Sequence, residues 1–436
     1  MDYYDLAIIG AGWAGFNAAI KAEQLGLKVA LIEKDKLGGT CLNRGCIPTK
    51  ALIQSAKIYS LTKKFAKFGI QVDNPQINFP EIQKRKKELV SQLYNGMQFT
   101  LRNKKINFIN CQAKIISPEE LLLGREKIKA KNIIIATGSQ PTELADFKFD
   151  GKKIISSDDI LNLKSIPKSL LIIGGGVIGC EFAGLFSALG VAVTVVELMP
   201  QLLPIEDREV AKKIETIFKK RGIKVNTNTD AKTVNQADFD LILVAVGRKP
   251  CIDNAEEAGI RIEKSRIGVD DYLRTNISNI YAAGDATGSI MLAHYASYQG
   301  TLIVENITHP AQMKKVDNAA IPNCIFTDPE IASVGLSEEK AKQAGLDIQI
   351  HKLDFQANAM ARILDESEGL IKIISDKKTE QIIGASIVGP KATELIGILT
   401  LAIKSRIRQT QIKETVFAHP TLSESICECF KSYNGV

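Results

Sequence analysis

The chain has 436 residues, 45% of them hydrophobic and 24% charged, with 56 Lys and Arg against 49 Asp and Glu for a net charge of +7. That is the balance of a folded globular protein of about three domains, and it excludes disorder, collagen and coiled coil. The longest apolar stretch, 169–196, is glycine-rich and interrupted by Glu181, so no segment is expected to span a bilayer, and Met1–Asp5 lacks the basic start of an export signal.

The first element is an apolar strand, Leu6–Ile9, running into Gly10-Ala-Gly12-Trp-Ala-Gly15 and an amphipathic helix; a second strand then ends on Glu33. This pattern makes a dinucleotide site. The first glycine permits a tight turn, the second lets backbone approach a pyrophosphate, and the third lets helix and strand pack closely. The acid, 23 residues after the first glycine, is spaced to hold a ribose.

Directly after that strand comes Cys41-Leu-Asn-Arg-Gly45-Cys46-Ile-Pro48-Thr-Lys50. On a regular helix two cysteines five apart are separated by about 7.5 Å of rise, whereas a disulfide tolerates Cα separations of about 4.4–6.8 Å. If the two bond, the segment must break, and Gly45 and Pro48 are the residues that permit it. Cys46 then falls near a helix start, where the dipole favours a thiolate. Two unpaired core cysteines are the alternative reading.

Lys84-Arg85-Lys86-Lys87 and, later, Lys219-Lys220-Arg221 lie in amphipathic helices. They read as solvated faces, not as a nucleic-acid footprint, which would need interleaved aromatics or a groove-reading motif. The strand Ile133–Ile135 ends in Ala136-Thr137-Gly138-Ser139, a turn that closes a nucleotide domain.

The fingerprint then returns. Leu170–Ile173, Gly174-Gly-Gly176-Val177-Ile178-Gly179 and Glu197 repeat the first copy at a constant offset of 164, which also aligns Gly26 with Gly190 and Val29 with Val193. Two fingerprints imply two dinucleotides in one chain, and hence electron transfer between them. Only Asp230–Phe239 separates the strand-like Ile223–Thr229 from the strand that opens at Asp240 and ends in Gly247-Arg-Lys-Pro250, and a third strand end follows at Ile280-Tyr-Ala-Ala-Gly284-Asp285. From about Lys315 strands and helices alternate without phosphate glycines, as in a separate C-terminal domain.

That domain ends in Ala418-His419-Pro-Thr421-Leu-Ser-Glu424. Thiol–disulfide exchange needs a base near neutral pH, and a histidine oriented by a carboxylate supplies one. Thr421-x-x-Glu424 is equally a capping box, and both readings stand. His294, His309 and His351 read as structural or surface residues. The eight cysteines, which include Cys111, Cys180, Cys251 and Cys324, form no disulfide scaffold; without an export signal they suggest a reducing compartment in which any disulfide is catalytic.

With these residues in view the chain resembles the flavin-dependent pyridine nucleotide–disulfide oxidoreductases, from about Asp5 to Glu428. The matches are Gly38-Gly-Thr-Cys41 through Lys50, Ala136-Thr-Gly138, Gly174 through Glu181, Ala283-Gly-Asp285, Met291-Leu-Ala-His294 and His419 through Glu424. The last two segments point to the branch that acts on lipoyl groups.

The resemblance implies an α/β chain with two Rossmann-like domains and an α+β dimerisation domain. Its implied division is 1–146 and 269–316 for FAD, 147–268 for NAD, and 317–436 for dimerisation. FAD would be held by Gly10, Gly12, Gly15, Glu33, Lys34, Gly39, Thr40, Lys50, Thr137, Gly138, Ser139, Asp285, and Met291, Leu292, Ala293 and His294. NAD would be held by Gly174, Gly176, Val177, Ile178, Gly179, Glu181, Glu197 and Gly247. Leu198 and Met199 in place of arginines favour NAD, because a carboxylate repels a 2′-phosphate.

Cys41 would be the exchange thiol and Cys46 the thiol against the flavin, with Lys50 and Glu181 paired near the ring. His419 would be the base, oriented by Glu424 and reaching the disulfide of the second subunit of a homodimer. The implied partner is the lipoyl-bearing protein of a 2-oxoacid dehydrogenase or glycine-cleavage complex, in the cytoplasm or in an organelle matrix after loss of a targeting segment; no metal is expected. A related disulfide or mercuric-type reductase, and a non-catalytic flavoprotein scaffold or sensor, are the alternatives.

Four features depart from the family pattern. Trp13 stands where a small residue or proline is usual and is expected to crowd the pyrophosphate or flavin edge. The second nucleotide domain lacks room for the usual antiparallel meander. Phe417 replaces a frequent histidine. Cys427-Glu-Cys429 is similar to C-terminal cysteine pairs of mercuric and large thioredoxin reductases, but lies within a probable helix instead of on a tail.

Overall fold

Runs of Val, Ile and Leu with no polar alternation build strands that are buried on both faces, and such strands assemble into parallel sheets with helices on either side. The computed structural model, which describes residues 2–252 and 255–431, contains two such sheets. In the first, Ile106–Asn110, Val29–Glu33, Tyr3–Ile9, Glu126–Ile135 and Ile280–Ala282 lie side by side and parallel. The long strand Glu126–Ile135 is shared: its early residues pair antiparallel with Glu120–Leu123, its late ones with Ile280–Ala282. The chain thus leaves this sheet, builds the second, and returns.

The second sheet orders Lys224–Asn226, Ala192–Val196, Ser169–Ile173, Leu241–Val244 and Ile154–Ile155, all parallel. The internal repeat survives in register: Leu6 faces Val29 and Leu170 faces Val193. Where the first half carries the antiparallel meander Ala113–Ser117, Glu120–Leu123 and Glu126–Ile135, the second has two short turns, Ala231–Thr233 and Gln236–Asp238. Ser139–Pro141 and Arg248–Pro250 pair antiparallel and join the halves.

The C-terminal unit is a five-stranded antiparallel sheet, with Ala392–Lys404 packed on it. Its strand Leu370–Asp376 buries Lys372 against Asp207, Glu209 and Glu338, tying this unit to the second nucleotide half. Cys427 and Cys429 lie buried in the same core, and burial pushes the Cys429 thiol up. Phe417 packs against that core as well.

The basic clusters need one correction. Lys84, Arg85 and Lys87 are exposed on the helix Phe79–Arg102, but Lys86 is buried, its ammonium donating to the Leu161 carbonyl, and burial lowers it to about 8. The face that packs on the connector at Ile160–Asn162 takes one of the four basic residues. Lys219, Lys220 and Arg221 are each paired with an acid, Arg221 with Asp328 and Glu368 of the C-terminal unit. No helix among the described residues is long and apolar enough to cross a membrane.

Candidate active site

The site grows from the two glycine turns. Gly10 and Gly174 sit at φ +103° and +106°, with carbonyl oxygens of Ala136 and Ala245 where a Cβ would be. A Cβ on Gly15 would lie 1.9 Å from the Gly10 oxygen, and one on Gly179 1.9 Å from the Gly174 oxygen. The middle glycines differ: Gly176 has nothing within 4 Å, and Gly12 only the Cα of Gly39 at 4.0 Å. Each turn is therefore locked from behind and open in front, where a pyrophosphate needs backbone access at a helix start.

The acids repeat as well. Glu33 accepts from the amides of Ala11 (2.7 Å) and Asp35 (2.8 Å), and Glu197 from those of Gly175 (2.6 Å) and Met199 (2.7 Å). Each carboxylate is fixed by backbone and keeps lone pairs for ribose hydroxyls. Val177 and Ile178 begin the helix Val177–Ala188. Lys34 is exposed beside Glu33, and Thr40 is half-buried on the helix Gly39–Arg44.

The cysteine segment breaks at Gly45. The helix Gly39–Arg44 ends there, the helix Cys46–Thr62 begins, and a Cβ on Gly45 would come within 3.0 Å of the Thr40 oxygen. Cys46 is the first residue of its helix, and Pro48 falls in the first turn, where no amide is needed. Both cysteines are thiols here, hydrogen-bonded to each other. That bond from Cys41, helped by the Lys50 charge, brings Cys46 down to about 7, while the Cys46 contact and burial push Cys41 up. The pair is asymmetric: Cys46 ionises first.

Lys50 lies one turn beyond Cys46, its Nζ 2.8 Å from both carboxylate oxygens of Glu181 on the second half. The Phe326 amide of the C-terminal unit donates to Glu181 Oε1 (2.9 Å), and Lys50 sits 4.7 Å over the Phe326 ring. All three units meet at this pair. Phe326 escaped the sequence reading because its contribution is a backbone amide, which no side-chain pattern announces.

On the other side, Ser139 Oγ donates to Asp285 Oδ2 (2.5 Å) and accepts from Arg248 Nε (2.8 Å). Thr137 Oγ1 donates to the Cys251 carbonyl (2.5 Å), so the hydroxyls of Thr137 and Ser139 serve the link between halves, with Gly138 and Gly247 at its bends. Burial raises Asp158, against the pull of Arg248 and Arg44. Arg248 follows the Gly247 turn directly and was the available clue to this network.

Met291, Leu292 and Ala293 are half-buried at the start of the helix Ala293–Thr308, whose His294 Nε2 meets the Pro322 carbonyl at 2.8 Å. His309 lies on the surface, and His351 is buried with Ser375.

Glu424 makes both contacts that the sequence left as alternatives, one to His419 and one to the Thr421 backbone. Glu424 Oε2 meets His419 Nδ1 at 2.9 Å, and Oε1 accepts the Thr421 amide at 3.0 Å. Burial works to raise Glu424, but the His419 and Thr421 bonds outweigh it and hold the carboxyl below its ordinary range. The imidazole is 72% exposed, with Nε2 turned away from its own carboxylate.

These residues fit FAD and NAD. Residues 4–300 match the pyridine nucleotide-disulphide oxidoreductase family and residues 321–429 its dimerisation domain. The chain is 43% identical to a dihydrolipoyl dehydrogenase of Chlamydia pneumoniae, covering 97% of this chain and 95% of that one. It is 39% identical to one of Bacillus subtilis over 99% of both. Among solved structures it is similar to LpdA from Mycobacterium tuberculosis (TM-score 0.90, 26% identity, 99% of each chain). It is also similar to the HOCl-induced flavoprotein disulfide reductase RclA from Escherichia coli (TM-score 0.88, 30% identity, 98% of this chain and 100% of that one). The chain belongs to the pyridine nucleotide–disulphide oxidoreductases.

Proposed function

We propose that the chain oxidises dihydrolipoyl groups and reduces NAD+, as a dihydrolipoyl dehydrogenase. The substrate would be the lipoyl arm on a protein of a 2-oxoacid dehydrogenase or glycine-cleavage complex, in a reducing compartment such as the bacterial cytoplasm. The observation that carries this is the unequal thiol pair: Cys46 ionises at about 7 while Cys41 is pushed up.

In the oxidised form the two sulfurs are joined. His419 Nε2 takes the proton of one substrate thiol, and the thiolate attacks Cys41 Sγ. The Cys41–Cys46 bond breaks, and its electron pair leaves on Cys46, the better leaving group because its thiolate is the stabilised one. His419 releases that first proton to solvent and takes the proton of the second substrate thiol, whose thiolate attacks the first substrate sulfur. The mixed disulfide opens, the cyclic lipoyl disulfide departs, and Cys41 recovers a proton from His419. That leaves Cys41 as the thiol and Cys46 as the thiolate.

FAD, held by the first turn, Glu33, Ser139, Asp285 and the helix at Ala293, would supply the two-electron carrier between this dithiol and the nicotinamide. Lys50 and Glu181 hold the three units together there, and Glu197 with Leu198 and Met199 suits NAD. An imidazole this exposed, on a dimerisation domain, supports a homodimer in which His419 serves the partner's cysteines. The buried Cys427 and Cys429 count against a mercuric-type reductase. Sheet membership supports the division into 1–146 with 269–316, 147–268 and 317–436.

The test is purified holoprotein with dihydrolipoamide and NAD+. NADH production is expected; its absence alongside turnover of another disulfide would overturn the reading. His419→Gln should lower turnover by about 10²–10⁴-fold with FAD still bound, and unchanged turnover would remove His419 from the mechanism.

A further inference from the structure

The segment around the strand Asn323–Ile325 belongs to the C-terminal unit by chain and is seated on the second nucleotide half. Ile325 is fully buried in the core that this half builds with Phe182 and Phe186. Ahead of it, Asn323 Nδ2 donates to Glu206 Oε1 (2.6 Å). Behind it, the buried Thr327 donates its hydroxyl to the Pro329 carbonyl (2.7 Å), and the Asp328 carboxylate pairs with Arg221 (2.9 Å). Phe326 sits between these anchors. Its backbone is fixed, yet its ring is only half-buried, so the ring is not there only to fill a core.

What Phe326 offers is two contacts to one ion pair. Its amide donates to Glu181 Oε1 (2.9 Å), and its ring lies 4.7 Å from the Lys50 Nζ that Glu181 holds at 2.8 Å. The carboxylate, 4% exposed, is thus fixed by a backbone donor, and the ammonium by a π face whose negative potential attracts a cation. The Lys50 side chain is 30% exposed, and its flexible stem has solvent to turn into. The ring takes that choice away. Lys50 follows Cys46 by four residues on the helix Cys46–Thr62, a spacing that puts both on one face. Whatever holds the ammonium therefore decides how much positive charge stands beside the Cys46 sulfur.

We infer that Phe326 is a positioning residue of the dithiol: its ring and amide together fix the Lys50–Glu181 pair, so that the seating of the C-terminal unit sets the charge beside Cys46. A shift of that unit would carry both contacts away at once. The ammonium would relax toward water, and Cys46 would lose the cation that favours its thiolate. The inference concerns the thiol and not its substrate, and holds whichever disulfide the protein acts on.

The test is alkylation of Cys46 in dithiol-reduced holoprotein across pH, located by peptide mass, for the wild type, Phe326→Leu and Phe326→Tyr. Leucine keeps apolar bulk and the backbone amide and removes the π face; tyrosine keeps the face. Phe326→Leu should raise the Cys46 midpoint by about half a pH unit, so that alkylation below it slows about threefold, and Phe326→Tyr should track the wild type. A leucine profile that coincides with the wild type overturns the proposal, as does a tyrosine profile shifted as far as the leucine one. Made in Lys50→Met protein, Phe326→Leu should move the midpoint no further; an equal shift there would assign the ring to packing alone and overturn the proposal. Should Phe326→Leu lose FAD or fail to fold, the wild type decides. Its Lys50 ε-methylene protons should carry an upfield ring-current shift that changes as Cys46 titrates, and unshifted signals overturn the proposal. A midpoint shift as expected in protein that turns over no dihydrolipoamide would support the role of Phe326 and count against the dihydrolipoyl reading alone.

Discussion

The two nucleotide halves share a backbone and differ in what is mounted on it. At matching positions the same amides meet the same carbonyls and carboxylates, at nearly the same lengths. The differences lie on the helix and beyond the acid. Trp13 and Asn17 of the first helix become Val177 and Glu181 in the second, and the positions matching Cys41 and Cys46 are Ile205 and Val210. The cradle for a pyrophosphate is thus a requirement met twice in one way, because it consists of backbone and the absence of side chains. The chemistry is added outside it, once, and the second half contributes one residue, Glu181, to the first half's cysteines.

The largest effect should come from the half that carries the thiols. Cys46→Ser removes the group that ionises first, and turnover should fall on the order of 10⁴-fold. FAD, measured by visible absorbance per chain, and the thermal midpoint should hold, since the cradle is untouched. Loss of FAD in this variant would show that the cysteines and the cradle form one unit, and the comparison would break there.

The glycines sharpen the comparison at a second level. Gly15→Ala and Gly179→Ala each drive a methyl into a carbonyl oxygen and should cost about 1–3 kcal/mol. The losses should separate: Gly15→Ala lowers the FAD content, whereas Gly179→Ala keeps FAD and raises the KM for NAD+ about tenfold or more. Flavin absorbance and NAD+ titration read the two outcomes. Gly179→Ala protein that emerges without flavin would show that the halves do not fold independently.

What the sequence disclosed follows the same division. The repeat was legible because a cradle made of backbone leaves glycines at fixed positions, and the break at Gly45 was legible because two cysteines five apart cannot meet on an unbroken helix. Lys86 was not: four consecutive basic residues sweep all around a helix, and only packing decides which of them turns inward. Nor was the double use of Glu424, since spacing cannot say that one oxygen caps while the other orients His419. Phe326 lay beyond reach because it joins segments that are remote in sequence through a backbone amide.

The finest test concerns the one pair that crosses between the halves. Lys50 lowers Cys46 and Glu181 raises it, so removing either charge must shift the thiol in opposite directions. In Lys50→Met the Cys46 midpoint should climb from about 7 by about one unit, leaving roughly one-tenth of it as thiolate at pH 7. Glu181→Gln should lower the midpoint by less than a unit, because Lys50 then acts unopposed and the new amide oxygen still accepts from Phe326. Thiolate ultraviolet absorbance of the reduced protein against pH measures both. Shifts of the same sign would mean that the two charges act only by holding the three units in place, so that the second half supplies support to the cysteines and no electrostatic control.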